Sequence, residues 1–231
     1  MPIPHLTGPI IFDLDGTLVD SAPDLTEALN RVLIEQDLPP VTAASVRHMV
    51  GDGAVKMIER GFAAAGKRFD GTLPDQLRQS FLDHYADCLI DQTVPYPGVI
   101  AALERFSAAG RRMAVCTNKP FAMSEVVLAE LGLARFFDAV LGGDSLAVHK
   151  PDPAHLHAAI EGAGGRAPRA IMVGDSATDV AAARNTGVPV VVVSFGYTRI
   201  APRDLGADAV IDHFDELIPA LAALAENSDA Q

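Results

Sequence analysis

The sequence predicts an α/β fold, in which a doubly wound parallel sheet carries an inserted helical cap domain. From Pro97 onward, short apolar segments alternate with helical patterns, as they do in chains built of strand–helix–strand units. Residues from about 20 to 91 show helical patterns only, and this stretch is far longer than a crossover between two strands requires. We therefore expect a sheet domain formed by residues 1–19 and 93–231, and a helical cap domain formed by residues 20–92.

The predicted strands are short and almost entirely apolar, which is typical of parallel strands covered by helices on both faces. The first strand covers residues 10–14, and its composition places it in the same sheet as the later strands. The later strands are predicted at residues 112–116, 139–142, 170–174, 190–193 and 209–211.

Helices are predicted where apolar residues recur with helical spacing. The first helix of the insert carries Leu25, Leu29 and Val32 on one face, and Ser21 with Asp24 resembles a capping box at its start. Further helices are predicted at residues 43–50, 54–65, 74–90 and 99–108.

The composition indicates a globular protein with an acidic surface. Hydrophobic residues make up 49% of the chain, and the formal net charge is -12. Such a charge repels nucleic-acid phosphates and anionic lipids, so we expect no nucleic acid and no membrane as a partner. Cys88 and Cys116 imply no disulfide framework, and no apolar run is long enough to span a bilayer. Because residues 1–5 also lack the start of a secretory signal, we expect a cytoplasmic protein. We expect it to be a monomer or a homodimer.

Asp13 is the most informative residue because it stands among the apolar residues of the first predicted strand. An ionised carboxylate there is costly to desolvate unless a cation or several hydrogen-bond donors compensate it. Asp15 follows two residues later, points to the same side of an extended chain and adds repulsion. A divalent metal ion and a phosphoryl group would explain both carboxylates. Turn formation before Gly16 explains Asp15 adequately but Asp13 poorly.

Further polar residues follow the carboxyl ends of other predicted strands, where open α/β sheets bind their ligands. These residues are Thr117, Asn118, Lys150, Asp175 and Asp179. Each has a structural explanation when taken alone, as a helix cap, a surface lysine or an aspartate that complements a helix dipole. Their arrival at one sheet edge favours a phosphoryl-transfer site, in which catalysis depends on positioning and charge stabilisation.

The residue types at this edge suit separate tasks in phosphoryl transfer. Asp13 and Asp175 offer the oxygen ligands that Mg²⁺ prefers, and Asp13 is also able to attack phosphorus. Asp15 is placed to protonate a leaving oxygen and then to activate water. Thr117 and Lys150 are expected to bind phosphoryl oxygens. We therefore predict Mg²⁺ as the cofactor and a small phosphorylated metabolite as the substrate.

Four segments together resemble the four motifs of the haloacid dehalogenase superfamily, in order and over nearly the whole chain. They are Phe12-Asp13-Leu14-Asp15-Gly16-Thr17, Thr117-Asn118, Lys150-Pro151 and Gly174-Asp175-Ser176-Ala177-Thr178-Asp179. The resemblance implies a Rossmann-like core with a helical cap inserted after the first motif.

The same resemblance implies a role for each motif residue. Asp13 would be the nucleophile and a metal ligand, Asp15 the acid/base with a metal-binding backbone carbonyl, and Asp175 a further metal ligand. Asp179 would hold a water of the metal site. The residues that would bind phosphate are Thr117, Asn118 and Lys150.

Within the superfamily, Asp15 indicates a phosphatase or a phosphomutase, since members with other chemistry lack an acid at that position. Residues 19–24 and 50–54 are similar to segments of the phosphoglycolate phosphatases, which implies hydrolysis of 2-phosphoglycolate to glycolate. In the cap, the residues predicted to contribute to substrate recognition are Arg47, Gly51, Gly53 and Lys56. Solvated helix positions are the commoner explanation of the two cations, and a bend between helices explains the glycines.

Two other classes of function fit the same residues. A sugar-phosphate phosphatase, a pyrophosphatase or a β-phosphoglucomutase-like phosphomutase would keep the chemistry and change the substrate. A phospho-accepting receiver domain also uses an aspartate, Mg²⁺, a threonine and a lysine on a doubly wound sheet. Receiver domains, however, place their acidic pair and their phosphorylated aspartate on different strands, and they have no helical insert.

Overall fold

The computed structural model describes residues 8–69 and 73–229; residues 1–5, where we expect no secretory signal, lie outside this part. The strands are β1 (Ile10–Phe12), β2 (Val19–Asp20), β3 (Val94–Pro95), β4 (Met113–Cys116), β5 (Ala139–Leu141), β6 (Ile171–Gly174), β7 (Val190–Val193) and β8 (Ala209–Ile211). The α-helices are α1 (Ala22–Glu35), α2 (Ala43–Arg47), α3 (Ala54–Ala64), α4 (Asp75–Asp87), α5 (Val99–Ala108), α6 (Phe121–Glu130), α7 (Pro153–Gly162), α8 (Ala177–Thr186) and α9 (Leu217–Asp229). Within the described part of the chain, none of the helices has the length and apolarity needed to cross a membrane.

Strand β1 lies near the centre of a six-stranded parallel sheet with the order β5-β4-β1-β6-β7-β8. Phe12 pairs in register with Val115 of β4 on one side and with Val173 of β6 on the other. All three strands are buried, as their apolar sequences predict. The carboxyl ends of β1, β4 and β6 therefore meet at one edge, and the predicted doubly wound sheet is confirmed.

Strand β1 ends at Phe12, two residues before its predicted end. The chain turns back directly afterwards, and the amide of Leu18 donates a hydrogen bond to the carbonyl of Leu14. Gly16 has a φ of 86° in this turn, a value that side-chain-bearing residues rarely adopt. A Cβ atom at Gly16 would also lie 2.5 Å from Oδ2 of Asp175, so the turn packs directly against the site.

Helices α1 to α4 form the helical insert, and α1 packs against each of the other three. The two ends of the insert are joined by an antiparallel pair of β2 and β3, in which Val19 lies opposite Pro95. Helices α2 and α4 end earlier than predicted, at Arg47 and Asp87. The limits of the two domains, between residues 19 and 20 and between 92 and 93, stay a prediction that this strand pair supports.

The predicted capping box of Ser21 and Asp24 is wrong. Oγ of Ser21 donates to Oδ1 of Asp15 at 2.6 Å, and no side chain caps the start of α1. Asp24 is buried and accepts hydrogen bonds from the amide of Gln92 and from the amide and hydroxyl of Thr93. Its carboxylate thus ties the start of the insert to its end, because the donors come from a distant part of the chain.

Both cysteines are free and buried, which leads to a prediction about their reactivity. Burial raises the pKa of Cys88 to about 11 and the pKa of Cys116 to about 12. We expect neither thiol to react with an aromatic disulfide reagent at pH 8 while the protein is folded, and both to react in urea. The absorbance of the released thiolate measures the reaction. Rapid labelling in native buffer would contradict the burial of these side chains.

Candidate active site

The structure brings the seven core residues predicted for the site to one edge of the sheet. Asp13 follows β1, Thr117 follows β4 and Asp175 follows β6, while Lys150 comes from the loop after β5. The Lys150–Pro151 peptide bond is cis. Two groups of contacts result: a buried charge cluster around Lys150, and a pocket between the sheet edge and the helical insert.

Lys150 is the centre of the charge cluster. Its Nζ atom lies 2.9 Å from Oδ1 of Asp13 and 2.7 Å from Oδ1 of Asp179. The side chain of Lys150 is only 1% exposed, so both ion pairs are shielded from water. Sequence reasoning predicts a phosphate-binding role for Lys150, whereas the geometry shows that it also compensates two buried carboxylates.

Asp179 organises the start of α8 through both of its carboxylate oxygens. Oδ2 accepts hydrogen bonds from the amide and hydroxyl of Ser176, and from the amide of Asp175. Ser176 in turn accepts from the amide of Asp179, which completes a capping box. Since Oδ1 accepts from Lys150, each oxygen of Asp179 already has a partner. This residue is therefore suited to position the ammonium group of Lys150 and the backbone of Asp175 and Ser176.

Asp13 keeps one carboxylate oxygen free of protein donors. Oδ1 accepts from the amide of Leu14 at 2.7 Å and from Lys150. Oδ2 receives no hydrogen bond from any described residue, and Asp13 lines the pocket. Burial raises the pKa of Asp13 to about 7, while the ammonium group of Lys150 opposes this shift.

The carboxylates around Lys150 have the chemistry of a magnesium site. Asp13, Asp175 and Asp179 place carboxylate oxygens within 4.8 Å of one another. Burial raises the pKa of Asp175, and the carboxylates of Asp179 and Asp13 raise it further. When all three carboxyl groups are ionised, they and the ammonium group of Lys150 leave two uncompensated negative charges, which one divalent cation balances. Oxygen donors of this kind fit Mg²⁺.

The two oxygens of Asp175 differ in their partners. Its Oδ2 accepts from the amide of Tyr197, but within the described part of the chain its Oδ1 accepts only a 3.2 Å hydrogen bond from the hydroxyl of Thr17. Oδ1 of Asp179, in contrast, is paired with the ammonium group of Lys150 at 2.7 Å. Asp13, with its free Oδ2, and Asp175 are therefore the better direct ligands.

Asp15 is held by a lysine that sequence reasoning missed. Nζ of Lys119 lies 3.1 Å from Oδ1 and 3.3 Å from Oδ2 of Asp15, and it also donates to the hydroxyl of Tyr85 on α4. Burial lowers the pKa of Lys119, while the neighbouring Asp15 raises it. The only sequence signal was position, since Lys119 directly follows Thr117 and Asn118.

Thr117 and Asn118 lie at the pocket, and their contacts differ from those of simple helix caps. Oγ1 of Thr117 accepts from the amide of Lys119 at 3.2 Å. Nδ2 of Asn118 donates to the carbonyl of Gly51 in the insert and to the carbonyl of Lys150. Asn118 therefore connects the phosphate-binding loop predicted in the sheet domain to the helical insert.

The four cap residues predicted for substrate recognition divide into two pairs. Gly51 and Gly53 line the pocket. Arg47 instead forms an ion pair with Asp20, and exposed Lys56 pairs with Glu59. Neither Arg47 nor Lys56 lines the pocket, so the structure does not support their predicted role in substrate recognition. The pocket is lined by Asp13, Asp15, Leu25, Val50, Gly51, Gly53, Ala54, Met57, Phe81, Leu82, Tyr85, Thr117, Asn118, Lys119 and Pro120.

A carboxylate pair and a buried lysine at the carboxyl edge of a parallel sheet define a site of the phosphoryl-transfer class. The family model of the haloacid dehalogenase-like hydrolases matches residues 10–193. The chain belongs to this family of hydrolases, as the four motifs predict.

Curated relatives and solved structures agree with this assignment. A phosphoglycolate phosphatase of Mesorhizobium japonicum is 49% identical over 213 residues, which cover 92% of this chain and 94% of that protein. A phosphoglycolate phosphatase of Caulobacter vibrioides is 48% identical over 205 residues, covering 89% and 86% of the two chains. The crystal structure of a predicted phosphoglycolate phosphatase from Haemophilus somnus has a TM-score of 0.85 and 31% identity, covering 93% of this chain and 98% of that chain. The predicted phosphatase class and the predicted core with a helical cap are confirmed.

Proposed function

We propose that this chain is a Mg²⁺-dependent phosphomonoesterase that acts through a covalent phosphoryl group on Asp13, with 2-phosphoglycolate as its substrate. The observation that carries the proposal is that Asp13 lines the pocket beside the carboxylate–lysine cluster and that its Oδ2 atom accepts no hydrogen bond from a described residue. The two curated relatives support the choice of substrate, because both are named phosphoglycolate phosphatases.

The reaction proceeds in two phosphoryl transfers. In the first, Oδ2 of Asp13 attacks phosphorus, the ester P–O bond breaks, and the proton of Asp15 passes to the leaving oxygen of glycolate. In the second, water attacks the same phosphorus atom and gives a proton to Asp15 while the bond between phosphorus and Asp13 breaks. Inorganic phosphate leaves, and both carboxyl groups return to their starting forms.

The remaining site residues supply charge and position. Lys150 fixes Asp13 and offsets the repulsion between its carboxylate and an anionic substrate. Thr117 and Asn118 stand where the phosphoryl oxygens are expected to bind. Asp13 and Asp175 would hold Mg²⁺ together with the backbone carbonyl of Asp15. The bound ion supplies positive charge for the phosphoryl oxygens.

A substrate panel tests the proposed activity. Phosphate release is measured with Mg²⁺ or with excess chelator, on 2-phosphoglycolate, hexose phosphates and pyrophosphate, and β-glucose 1-phosphate is tested for isomerisation. We expect multiple turnovers on 2-phosphoglycolate that stop when the chelator is added. Faster turnover of a hexose phosphate, or a preference for isomerisation, would instead assign one of the other phosphoryl-transfer activities. A single stable phosphoryl group per chain would indicate a receiver.

We expect Mg²⁺ to raise the unfolding temperature more at pH 8 than at pH 6. The ion binds ionised carboxylates, and because the pKa of Asp13 is raised to about 7, part of the metal-free protein carries a proton there at pH 6. Thermal unfolding with Mg²⁺, with chelator, and with K⁺ at equal ionic strength measures the effect. Equal stabilisation by Mg²⁺ and K⁺ would argue against a site for the divalent ion.

A further inference from the structure

The pocket between the sheet edge and the insert has one polar end and one apolar wall. The polar end contains Asp13, Asp15 and Thr117. The apolar wall comes mainly from the insert and consists of Leu25, Val50, Met57, Phe81 and Leu82. Among the described residues that line the pocket, Lys119 is the only one with a cationic side chain. A substrate with a second negative charge therefore has one candidate partner here.

Lys119 has a hydrogen-bond donor left for such a substrate. Its ammonium group has three N–H bonds. One is shared between the two oxygens of Asp15, and another is directed to the hydroxyl of Tyr85. In the described part of the chain no other acceptor contacts Nζ, which also lies 4.3 Å from the centre of the Tyr85 ring. The Tyr85 ring and the Asp15 carboxylate hold the ammonium group in place at the pocket wall.

The position of Lys119 relative to Asp15 determines which group of a substrate the ammonium group can contact. During ester cleavage, the leaving oxygen must lie within hydrogen-bonding distance of Asp15. Nζ of Lys119 is 3.1 Å from the same carboxylate. Groups that are one carbon away from the leaving oxygen therefore come within reach of the ammonium group, whereas groups at the far end of a long substrate do not.

We propose that Lys119 determines specificity by binding a carboxylate on the carbon next to the ester oxygen, so that the preferred substrates are phosphomonoesters of small 2-hydroxy acids. This inference rests on the proposed function and deepens it, because it assigns recognition of the substrate carboxylate to Lys119. The apolar wall acts against the alternative substrates, because the hydroxyl groups of a sugar would lose water at Leu25, Met57 and Phe81 without gaining partners.

Two esters that differ in one functional group test the role of Lys119. These are 2-phosphoglycolate and 2-hydroxyethyl phosphate, which carries a neutral hydroxymethyl group in place of the carboxylate. We expect the wild-type enzyme to prefer 2-phosphoglycolate by about 10- to 100-fold in kcat/KM, the range for one hydrogen bond to a charged group. In Lys119→Met most of this preference should disappear through a higher KM for 2-phosphoglycolate. Lys119→Arg should keep part of the preference because it keeps the charge.

The controls separate recognition from the effect of Lys119 on Asp15. Loss of the Asp15 contact alone would lower kcat for both esters equally, and an unchanged preference in Lys119→Met would overturn the proposal. Lys67→Met, which removes an exposed lysine of the insert, should leave the preference unchanged. The comparison of the two esters with the wild-type enzyme does not depend on the folding of any variant. If the wild-type enzyme hydrolysed both esters at equal rates, the inference about Lys119 would be refuted, whereas the phosphatase activity would stand. Absence of hydrolysis of any ester would refute the proposed function itself.

Discussion

Replacing Asp13 by asparagine is expected to lower kcat for ester hydrolysis by about 10⁴-fold or more, the scale of losing a nucleophile. The amide has nearly the shape of the carboxylate, and its oxygen still accepts from the amide of Leu14 and from Lys150. The fold should therefore persist while attack on phosphorus is lost. Phosphate release at saturating substrate measures the loss, and circular dichroism verifies the fold.

Asp15→Asn gives a contrasting result that identifies the covalent step. Without a proton donor and base at this position, a phosphoryl group should form slowly on Asp13 and then persist. Intact-mass measurement after acid quenching should detect it in Asp15→Asn and not in Asp13→Asn. Asp87→Asn, at an exposed position at the end of α4, is the matched control and should turn over normally. Normal turnover in Asp13→Asn would remove the assignment of the nucleophile.

The sheet was predictable because its strands are short apolar runs separated by polar loops. Their centres agree with the structure, but their ends do not always agree. The end of β1 was misplaced because Leu14 is as apolar as a strand residue, yet its carbonyl bonds to the amide of Leu18 in a turn. An apolar residue in the sequence predicts burial but does not by itself predict an extended backbone. Leu14 is buried, yet its backbone belongs to a turn.

The core of the site was predictable for a different reason. Asp13 and Asp175 follow buried strands, and parallel topology alone brings such residues to one edge. Lys119 was missed because a lysine is normally solvent-exposed, and only the packing of Tyr85 against it shows that this one is buried. For Arg47 in the insert, the error has the opposite direction. Its charge suggested a role in substrate recognition, but in the folded protein it forms an ion pair with Asp20.

Replacing Lys150 by methionine is expected to reduce the free energy of unfolding by about 3–5 kcal/mol, the cost of leaving buried charges without their partner. Methionine has a similar volume, so loss of packing contributes little. Asp13 and Asp179 would lose the ammonium group that lies 2.9 Å and 2.7 Å from their oxygens. Urea denaturation in the presence of a chelator measures the change without interference from a metal ion.

The pH dependence of this loss distinguishes electrostatics from packing. Burial already raises the pKa of Asp13 to about 7 against the opposing effect of Lys150, and removing the lysine raises it further. A carboxyl group whose pKa is higher in the folded state stabilises the fold below its unfolded pKa and loses that effect as the pH rises. Lys150→Met should therefore be more destabilised at pH 8 than at pH 5. The double variant Asp13→Asn with Lys150→Met should be less destabilised than Lys150→Met alone, because one buried charge is gone. A loss that is equal at both pH values and unaffected by Asp13→Asn would mean that Lys150 contributes packing rather than charge.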